Sequence, residues 1–295
     1  MKNKYPPLKL WILVSSIFLF IQVLIGMFQA DIMEINYQNI KSIINQEHLD
    51  VLSDFKHSFN ENNFNAIIVG TSLVNDGVQC HYESTSSEQK EINIRKLWRS
   101  ENFDSFFLNN SLINEIIKIK PDLLLIQAEL FGIEFNNKRG FMTKQSISNK
   151  ILLKKIFRIN TIKTTLFEEC YYNKQAKPIF QYDSLSFKPN KRFINLNHNI
   201  NNITKALKKF REAKIKIIAV DIPRPIKTEK IVYTKKFRHD LKALFKKYKK
   251  LNDIDYWVYN GQVLYFKHFR DGAHMNKSGR SVYTDWLRNK IKKEF

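Results

Sequence analysis

The fold of this 295-residue chain is decided by the stretch Ala66-Ile67-Ile68-Val69-Gly70-Thr71-Ser72-Leu73. A short, β-branched apolar run that ends at a glycine is typical of a buried strand. A helix is expected to begin at Ser72, so this serine lies at a strand-to-helix turn. Taken alone, the pattern more often marks a serine that only caps a helix.

The rest of the chain alternates strands with helices. Buried strands are predicted at Gln89–Trp98, at Asp122–Gln127, at Ile215–Asp221 and within Trp257–Tyr265. Amphipathic helices are predicted at Leu108–Lys120, Ile203–Ala213, Lys235–Leu251 and Gly279–Lys293. This alternation favours an α/β fold in which a parallel sheet is covered on both faces. The pattern is weak from about residue 135 to 200, which we interpret as an insertion or lid.

An apolar run at the N-terminus predicts a membrane anchor. Leu10–Phe28 carries no charge, and a membrane-spanning helix needs roughly 20 such residues. Lysines precede the run, so residues 1–9 are expected to stay in the cytoplasm. We therefore expect a single-pass anchor over residues 10–29 in the bacterial inner (plasma) membrane, a helical neck over 30–62 and an extracytoplasmic, periplasmic domain over 63–295.

Two other interpretations of the apolar run are less favoured. A cleaved signal peptide would need small residues at its cleavage site, and Met27-Phe28-Gln29-Ala30 is a poor one. A buried helix of a soluble protein would show a polar face, which this run lacks.

The formal net charge of +21 does not by itself indicate a nucleic-acid partner. Lys, Asn and Ile are frequent throughout the chain, and no nucleic-acid-binding motif accompanies them. We expect no nucleic acid; the charge fits either anionic lipid head groups or an acidic polysaccharide, or simply solvated lysines. Two cysteines, Cys80 and Cys170, are too few for a disulfide scaffold, and we expect both in the core. The sequence does not decide whether they form a disulfide with each other.

A second segment, Asp271-Gly272-Ala273-His274-Met275-Asn276-Lys277-Ser278-Gly279, precedes the last predicted helix. The three-residue spacing of Asp271 and His274 lets the carboxylate reach the imidazole and fix its tautomer. A serine hydroxyl becomes a nucleophile when a histidine removes its proton and an acid orients that histidine. Since ligands bind beyond the carboxyl ends of parallel strands, Ser72, His274 and Asp271 are candidate catalytic residues for acyl transfer.

These two segments resemble the first and last blocks of the SGNH (GDSL-like) hydrolases. Gly70-Thr71-Ser72-Leu73 resembles G-D-S-L, and Asp271-Gly272-Ala273-His274 resembles D-x-x-H. The resemblance covers about residues 65–295. It implies a flavodoxin-like, three-layer α/β/α fold with Ser72 as nucleophile, His274 as base and Asp271 as its orienting acid. Thr71 in place of Asp is similar to membrane-anchored bacterial members that move acyl groups on cell-surface polymers.

The third block of the family, G-x-N-D, is replaced here by Gln127-Ala128-Glu129-Leu130. An Asn in this block would donate to the oxyanion, which an ionised Glu129 cannot do. Either Gln127 supplies that donor, or the backbone N–H of Ser72 acts with another donor. Arg224, just past a predicted strand, is a candidate for binding an anionic substrate group, or else a surface arginine between two prolines.

A metal site formed by His268, Asp271 and His274 is disfavoured, because it leaves Ser72 without a role and lacks a compact ligand motif. We expect no cofactor and no metal. The sequence therefore predicts an anchored serine esterase or O-acyltransferase that acts on acyl groups of cell-envelope polysaccharide or glycolipid. The expected acyl group is acetyl. An integral-membrane partner that delivers the acyl group would fit the anchor. The alternative is a non-catalytic SGNH-fold protein of envelope assembly or binding.

Overall fold

A computed structural model describes residues 8–18, 20–21, 48–57, 62–79, 92–99, 103–131, 133–135, 192–194 and 200–295. The chain divides into two compact units, residues 1–46 with 137–163 and residues 47–136 with 164–295. Cys80, Cys170 and most of the predicted insertion lie outside the described residues.

A parallel sheet of five strands forms the centre of the second unit. Within the described residues, the strands are β1 (Phe64–Thr71), β2 (Ile92–Arg99), β3 (Leu123–Gln127), β4 (Ile133–Phe135), β5 (Arg192–Ile194), β6 (Lys216–Val220) and β7 (Asp255–Trp257). The sheet has the order β2-β1-β3-β6-β7, and β4 pairs with β5 separately and antiparallel. Counted along the five-stranded sheet, this is the 2-1-3-4-5 order of flavodoxin-like folds. The predicted α/β fold class with a parallel sheet is confirmed.

Helices cover both faces of this sheet. They are α1 (Ser72–Gly77), α2 (Asn110–Ile119), α3 (Ile200–Glu212), α4 (Ile226–Val232), α5 (Lys235–Asn252) and α6 (Lys277–Glu294). Short 3₁₀ turns lie at Phe103–Leu108, Ala128–Phe131 and Phe266–His268.

The two faces of the sheet form two separate apolar cores, because successive side chains of a strand point to opposite faces. In β1, Ile67 and Val69 lie in the first core, whereas Ala66 and Ile68 lie in the second. The first core is completed by α2, α3 and α5, and the second by α1 and α6. The result is the predicted three-layer α/β/α arrangement, in which the strands are buried and their carboxyl ends point towards one edge.

The last strand of the sheet and helix α4 differ from the sequence-based expectation. The last strand was expected within Trp257–Tyr265 but occupies Asp255–Trp257, where it pairs with β6 only as far as Val220. Val258, Val263 and Tyr265, which suggested a longer strand, are exposed in a loop. Helix α4, which was not predicted, begins directly after Pro225; a proline tolerates this position because the first N–H groups of a helix have no intrahelical partner.

The N-terminal segment is described only in part. Residues 8–18, 20 and 21 are helical, and their apolar side chains are exposed. In the described part of the chain, no helix combines the length and apolar character needed to cross a membrane. Residues 22–47 of the predicted anchor and neck lie outside the described residues. Residues 48–57 of the predicted neck form a helix whose Leu52 and Phe55 are fully buried in the first core.

Candidate active site

Ser72 is the first residue of α1 and directly follows β1. Thr71 caps the helix, and its hydroxyl oxygen accepts a hydrogen bond from the backbone N–H of Leu73 at 3.3 Å. A β-carbon at Gly70 would lie 2.2 Å from Val74 Cγ2 and 2.5 Å from Gln127 Oε1. The close approach of β1 to these two side chains therefore requires glycine at this position.

The structure brings Ser72 together with His274 and Asp271. Ser72 Oγ lies 2.9 Å from His274 Nε2, although the two residues are 202 positions apart. On the other side of the ring, His274 Nδ1 lies 2.8 Å from Asp271 Oδ2 and 3.0 Å from Oδ1. Since a carboxylate accepts hydrogen bonds, it places the imidazole proton on Nδ1 and leaves Nε2 free to accept from the serine hydroxyl.

Asp271 is held ionised by its own loop. Its Oδ1 accepts from the backbone N–H groups of Ala273 and His274, each at 2.8 Å. Burial alone would raise the pKa of Asp271, but the hydrogen bonds from the His274 side chain and from these backbone groups outweigh it and lower the pKa to about 2. The side chains of Asp271 and His274 are 39 % and 26 % exposed, so the site is open to a substrate.

The loop that carries His274 is fixed to the start of α6. Asn276 caps α6 by accepting from the N–H of Gly279 at 3.1 Å and donates to the carbonyl of Lys267 at 2.7 Å. His268 is buried in the preceding 3₁₀ turn, where its Nδ1 accepts from the N–H of Tyr265 at 3.0 Å. Burial and the nearby Lys267 lower the pKa of His268. These bonds give His268 a structural role in the loop.

Replacing Gly279 with alanine is expected to destabilise the domain. The new β-carbon would lie 2.1 Å from the backbone oxygen of His268, so backbone atoms would have to move, at a cost of about 1–3 kcal/mol. Thermal unfolding followed by circular dichroism would measure this loss. Ser278→Ala, at the exposed neighbouring position, is the matched control; equal unfolding temperatures for the two variants would contradict the predicted contact.

Arg270 and Arg280, which the sequence analysis did not single out, both bind Asp76 on α1. Arg270 connects α1 to the Asp271 loop, and Arg280 connects α1 to α6. Arg270 Nη2 lies 2.6 Å from Asp76 Oδ2 on α1, and Arg270 Nε lies 4.0 Å from Asp271 Oδ2. Arg280 also donates to the backbone oxygen of Asp76 at 3.0 Å. Burial raises the pKa of the Asp76 carboxyl, although Arg270, His274 and Arg280 act in the opposite direction. Arg270 thus connects helix α1, which begins at Ser72, to the loop that carries Asp271.

Gln127, one of the two expected sources of the oxyanion donor, uses its side-chain amide in hydrogen bonds inside the protein. Its side chain is 1 % exposed. Its Oε1 accepts from the Thr71 N–H at 2.8 Å and from the Thr71 hydroxyl at 3.1 Å, and its Nε2 donates to Glu129 Oε2 at 2.7 Å. The amide nitrogen is therefore turned away from Ser72 towards Glu129.

Arg224 is not a surface arginine, because its side chain is buried beside Glu129. Binding of an anionic substrate group by Arg224 stays a prediction. Arg224 is 6 % exposed and Glu129 is 8 % exposed. Arg224 Nη2 lies 2.7 Å from Glu129 Oε1, which also accepts from the hydroxyl of Tyr233 at 2.5 Å. A buried carboxylate requires a partner of opposite charge, and Arg224 supplies it.

The fold and the positions of Ser72, His274 and Asp271 agree with the resemblance seen in the sequence. The architecture is a flavodoxin-like, three-layer α/β/α fold. No family model and no curated protein matches the chain. Among solved structures, a GDSL-like lipase from Bacteroides thetaiotaomicron aligns at 12 % identity and a TM-score of 0.42, covering 84 % of this chain and 98 % of its own.

A second solved structure is the periplasmic domain of a lipopolysaccharide acetyltransferase from Salmonella ser. Paratyphi A. It aligns at 14 % identity and a TM-score of 0.41, covering 82 % of this chain and 88 % of its own. Identities and TM-scores of this size are too low to assign a function, so the function is inferred from the geometry of Ser72, His274 and Asp271.

Proposed function

We propose that the second unit is a serine acyl-transfer enzyme, an esterase or an O-acyltransferase. The observation that supports this proposal is the continuous hydrogen-bonded series from Ser72 Oγ through His274 to Asp271, with distances of 2.9 Å and 2.8 Å. A nucleophile, a base and an orienting acid in contact are the geometric signature of nucleophilic acyl transfer.

In the first half of the proposed reaction, His274 Nε2 takes the proton of the Ser72 hydroxyl while Oγ forms a bond to the acyl carbonyl carbon. The resulting imidazolium is stabilised by Asp271, whose pKa of about 2 keeps it ionised. The tetrahedral intermediate then collapses: the bond to the leaving oxygen breaks, and that oxygen takes the proton from His274 Nε2. Ser72 is left as an acyl ester.

In the second half, His274 Nε2 takes a proton from an acceptor hydroxyl, whose oxygen attacks the acyl-serine. Collapse of this second intermediate returns the proton to Ser72 Oγ. Water as the acceptor gives ester hydrolysis, and a sugar hydroxyl gives acyl transfer. The two outcomes use the same residues and differ only in how well the site excludes water and places the acceptor.

The backbone N–H of Ser72 is the proposed donor to the oxyanion. Ser72 is the first residue of α1, and the first N–H groups of a helix have no intrahelical acceptor. Gln127 is excluded from this role by its bonds to Thr71 and Glu129. The oxyanion would therefore be stabilised by backbone groups instead of by the side-chain amide found in the third family block.

We further propose that the enzyme is anchored in the bacterial inner membrane and acts outside the cytoplasm on polysaccharide or glycolipid of the cell envelope. The uncharged run Leu10–Phe28, the lysines before it and the exposed apolar side chains of residues 8–18 support an anchor. A membrane protein that supplies the acyl group is the partner that this location favours. An acetyl group is the expected acyl group.

The decisive experiment is labelling with a fluorophosphonate, which forms a covalent bond only with an activated serine. Intact-mass and peptide mass spectrometry of the full chain should show one adduct, on Ser72. A chromogenic acetyl ester should give a burst of released alcohol equal to the amount of protein. Absence of both the adduct and the burst would contradict the enzyme proposal.

A non-catalytic protein of envelope assembly or binding is the second candidate. It is favoured by one observation, the replacement of the oxyanion-donating Asn of the family by Glu129, which is paired with Arg224 in the interior. Such a protein would keep the arrangement around Ser72 without turning over an ester. The same labelling experiment separates the two candidates, because an unactivated serine does not react.

Replacing Arg270 with methionine is expected to slow labelling of Ser72 by about 10-fold, because the substitution unties α1 from the Asp271 loop. Asp76 would also lose its 2.6 Å partner. The measured quantity is the second-order rate constant for the fluorophosphonate. Lys267→Met, which removes an exposed positive charge from the same loop, is the control. Equal labelling rate constants for Arg270→Met and Lys267→Met would contradict the predicted effect of connecting α1 to the Asp271 loop.

A further inference from the structure

A buried polar network lies directly behind the Ser72 turn and connects three parts of the domain. Gln127 ends β3, and Glu129 follows in the 3₁₀ turn Ala128–Phe131. Arg224 lies between β6 and α4, and Tyr233 lies just after α4. All four side chains are buried. Burial of a charged pair carries a desolvation cost, so this network is weak evidence for a gain in stability. A role other than stability therefore has to be considered for the Glu129–Arg224 pair.

The network fixes the orientation of the Gln127 amide. A carboxylate can only accept hydrogen bonds, so Glu129 Oε2, 2.7 Å away, selects the Nε2 end of the amide. The Oε1 end consequently faces Thr71, where it accepts from both the backbone N–H and the hydroxyl. A Gln127 amide rotated by 180° would present donors to these two donors of Thr71.

Glu129 is itself held in place from the other side. Its Oε1 accepts from Arg224 at 2.7 Å and from the Tyr233 hydroxyl at 2.5 Å. The guanidinium of Arg224 also lies 5.8 Å from the centre of the Tyr233 ring. The positive charge of Arg224 balances the carboxylate, so the pair adds no net negative charge beside the position where an oxyanion would form on Ser72.

We propose that Glu129 is a positioning residue for the nucleophile, acting through Gln127 on Thr71 and therefore on the adjacent Ser72. This inference rests on the proposed function of Ser72. In this chain the third family block has exchanged a group that touches the oxyanion for a buried carboxylate that orients the peptide preceding the nucleophile. Glu129 does not contact substrate, since its two oxygens are used inside the protein.

The proposal is tested with two double variants that differ only at position 129. Glu129→Met alone would leave the charge of Arg224 buried without a partner, so both variants carry Arg224→Met. Glu129→Met/Arg224→Met removes the acceptor for Gln127 Nε2. Glu129→Gln/Arg224→Met keeps an acceptor oxygen there. Thermal unfolding of both variants establishes that each is folded.

Two measurements are made on each variant and on the wild type: the rate of fluorophosphonate labelling at Ser72 and the hydrogen exchange of the Thr71 amide. Loss of the acceptor is expected to slow labelling on the order of 10- to 100-fold, as for a small misplacement of a reacting atom. Exchange at Thr71 should become faster. Restoring the acceptor in the Gln variant should return both quantities to near their wild-type values, which a role limited to stability does not predict.

Arg238→Met is the matched arginine control. Arg238 also lies over the Tyr233 ring, at 5.6 Å, but its carboxylate partner is Glu229. Its labelling rate and Thr71 exchange should equal those of the wild type.

Unchanged labelling and unchanged Thr71 exchange in a folded Glu129→Met/Arg224→Met variant would overturn the proposal. If that variant does not fold, Gln127→Leu is measured instead, because it removes the hydrogen bonds to Thr71 and leaves the Glu129–Arg224 pair in place. Hydrogen exchange of the Thr71 amide at the wild-type rate in Gln127→Leu would then overturn the proposal. If wild-type Ser72 is not labelled, the proposed function fails, and the exchange measurements still decide whether Glu129 positions Thr71.

Discussion

Replacing Ser72 with alanine is expected to reduce hydrolysis of an acetyl ester by about a million-fold, to the rate without nucleophilic catalysis. The loss follows from the geometry, since Ser72 Oγ is the atom that His274 Nε2 contacts at 2.9 Å. Removing this oxygen leaves the base with nothing to activate. Initial rates with a chromogenic acetyl ester, together with the mass of the protein after incubation with fluorophosphonate, measure the effect.

The control for this variant is Ser281→Ala on α6, which removes the same oxygen from a serine outside the candidate site. Stability should change little in Ser72→Ala, because the cap of α1 is provided by Thr71. Ester hydrolysis that persists at the wild-type rate in a folded Ser72→Ala protein would rule out Ser72 as the nucleophile.

Replacing Asp271 with asparagine is expected to lower the rate by about 10⁴-fold while leaving the loop folded. An asparagine that turns its NH₂ group towards His274 Nδ1 would make that nitrogen an acceptor. The proton of the neutral ring would then lie on Nε2, where it cannot accept from Ser72. The measurement is kcat for the acetyl ester, with Asp285→Asn as a control that removes a carboxylate from α6, outside the Asp271 loop.

The pH dependence of this variant gives a second check. The pKa of Asp271 is lowered from 3.8 to about 2, so the carboxylate is ionised at all pH values above about 4. Protonation of Asp271 should therefore cause no loss of wild-type activity above about pH 5. The stability that this carboxylate contributes is present above its unfolded pKa and is lost as the pH falls through about 2. Thermal unfolding of wild type and Asp271→Asn between about pH 2 and about pH 7 measures this contribution, and a stability difference that disappears already at about pH 6 would contradict the assignment.

The sequence was sufficient to predict four of the five strands of the sheet, β1, β2, β3 and β6, and the contact among Ser72, His274 and Asp271. The strands β1 and β3 are continuous apolar runs, as expected for strands buried on both faces. The two segments that carry these residues lie at ends of elements whose boundaries have strong sequence signals, Gly70 before α1 and the Asn276 cap before α6. Their meeting follows from the sheet, since loops at the carboxyl ends of parallel strands lie at one edge.

The partners of the charged residues could not be predicted. Whether Arg224 faces solvent or the interior depends on how the chain folds between β6 and α4. The number of residues between Arg224 and Glu129 does not indicate that the two side chains will pair. The same is true of Arg270 and Asp76, which are 194 positions apart. Local patterns specify elements, whereas the pairing of two distant charges is fixed only when those elements pack.

The distance in sequence between Ser72 and His274 also has a consequence for the order in which the chain is made. Synthesis proceeds from the N-terminus, and domains begin to fold as they emerge. The serine emerges 202 residues before its base, and α6 must be complete before the loop that carries His274 is fixed. In the proposed enzyme, an unfinished chain would therefore hold an unreactive Ser72 hydroxyl, and acyl transfer would begin only after α6 has packed onto the sheet.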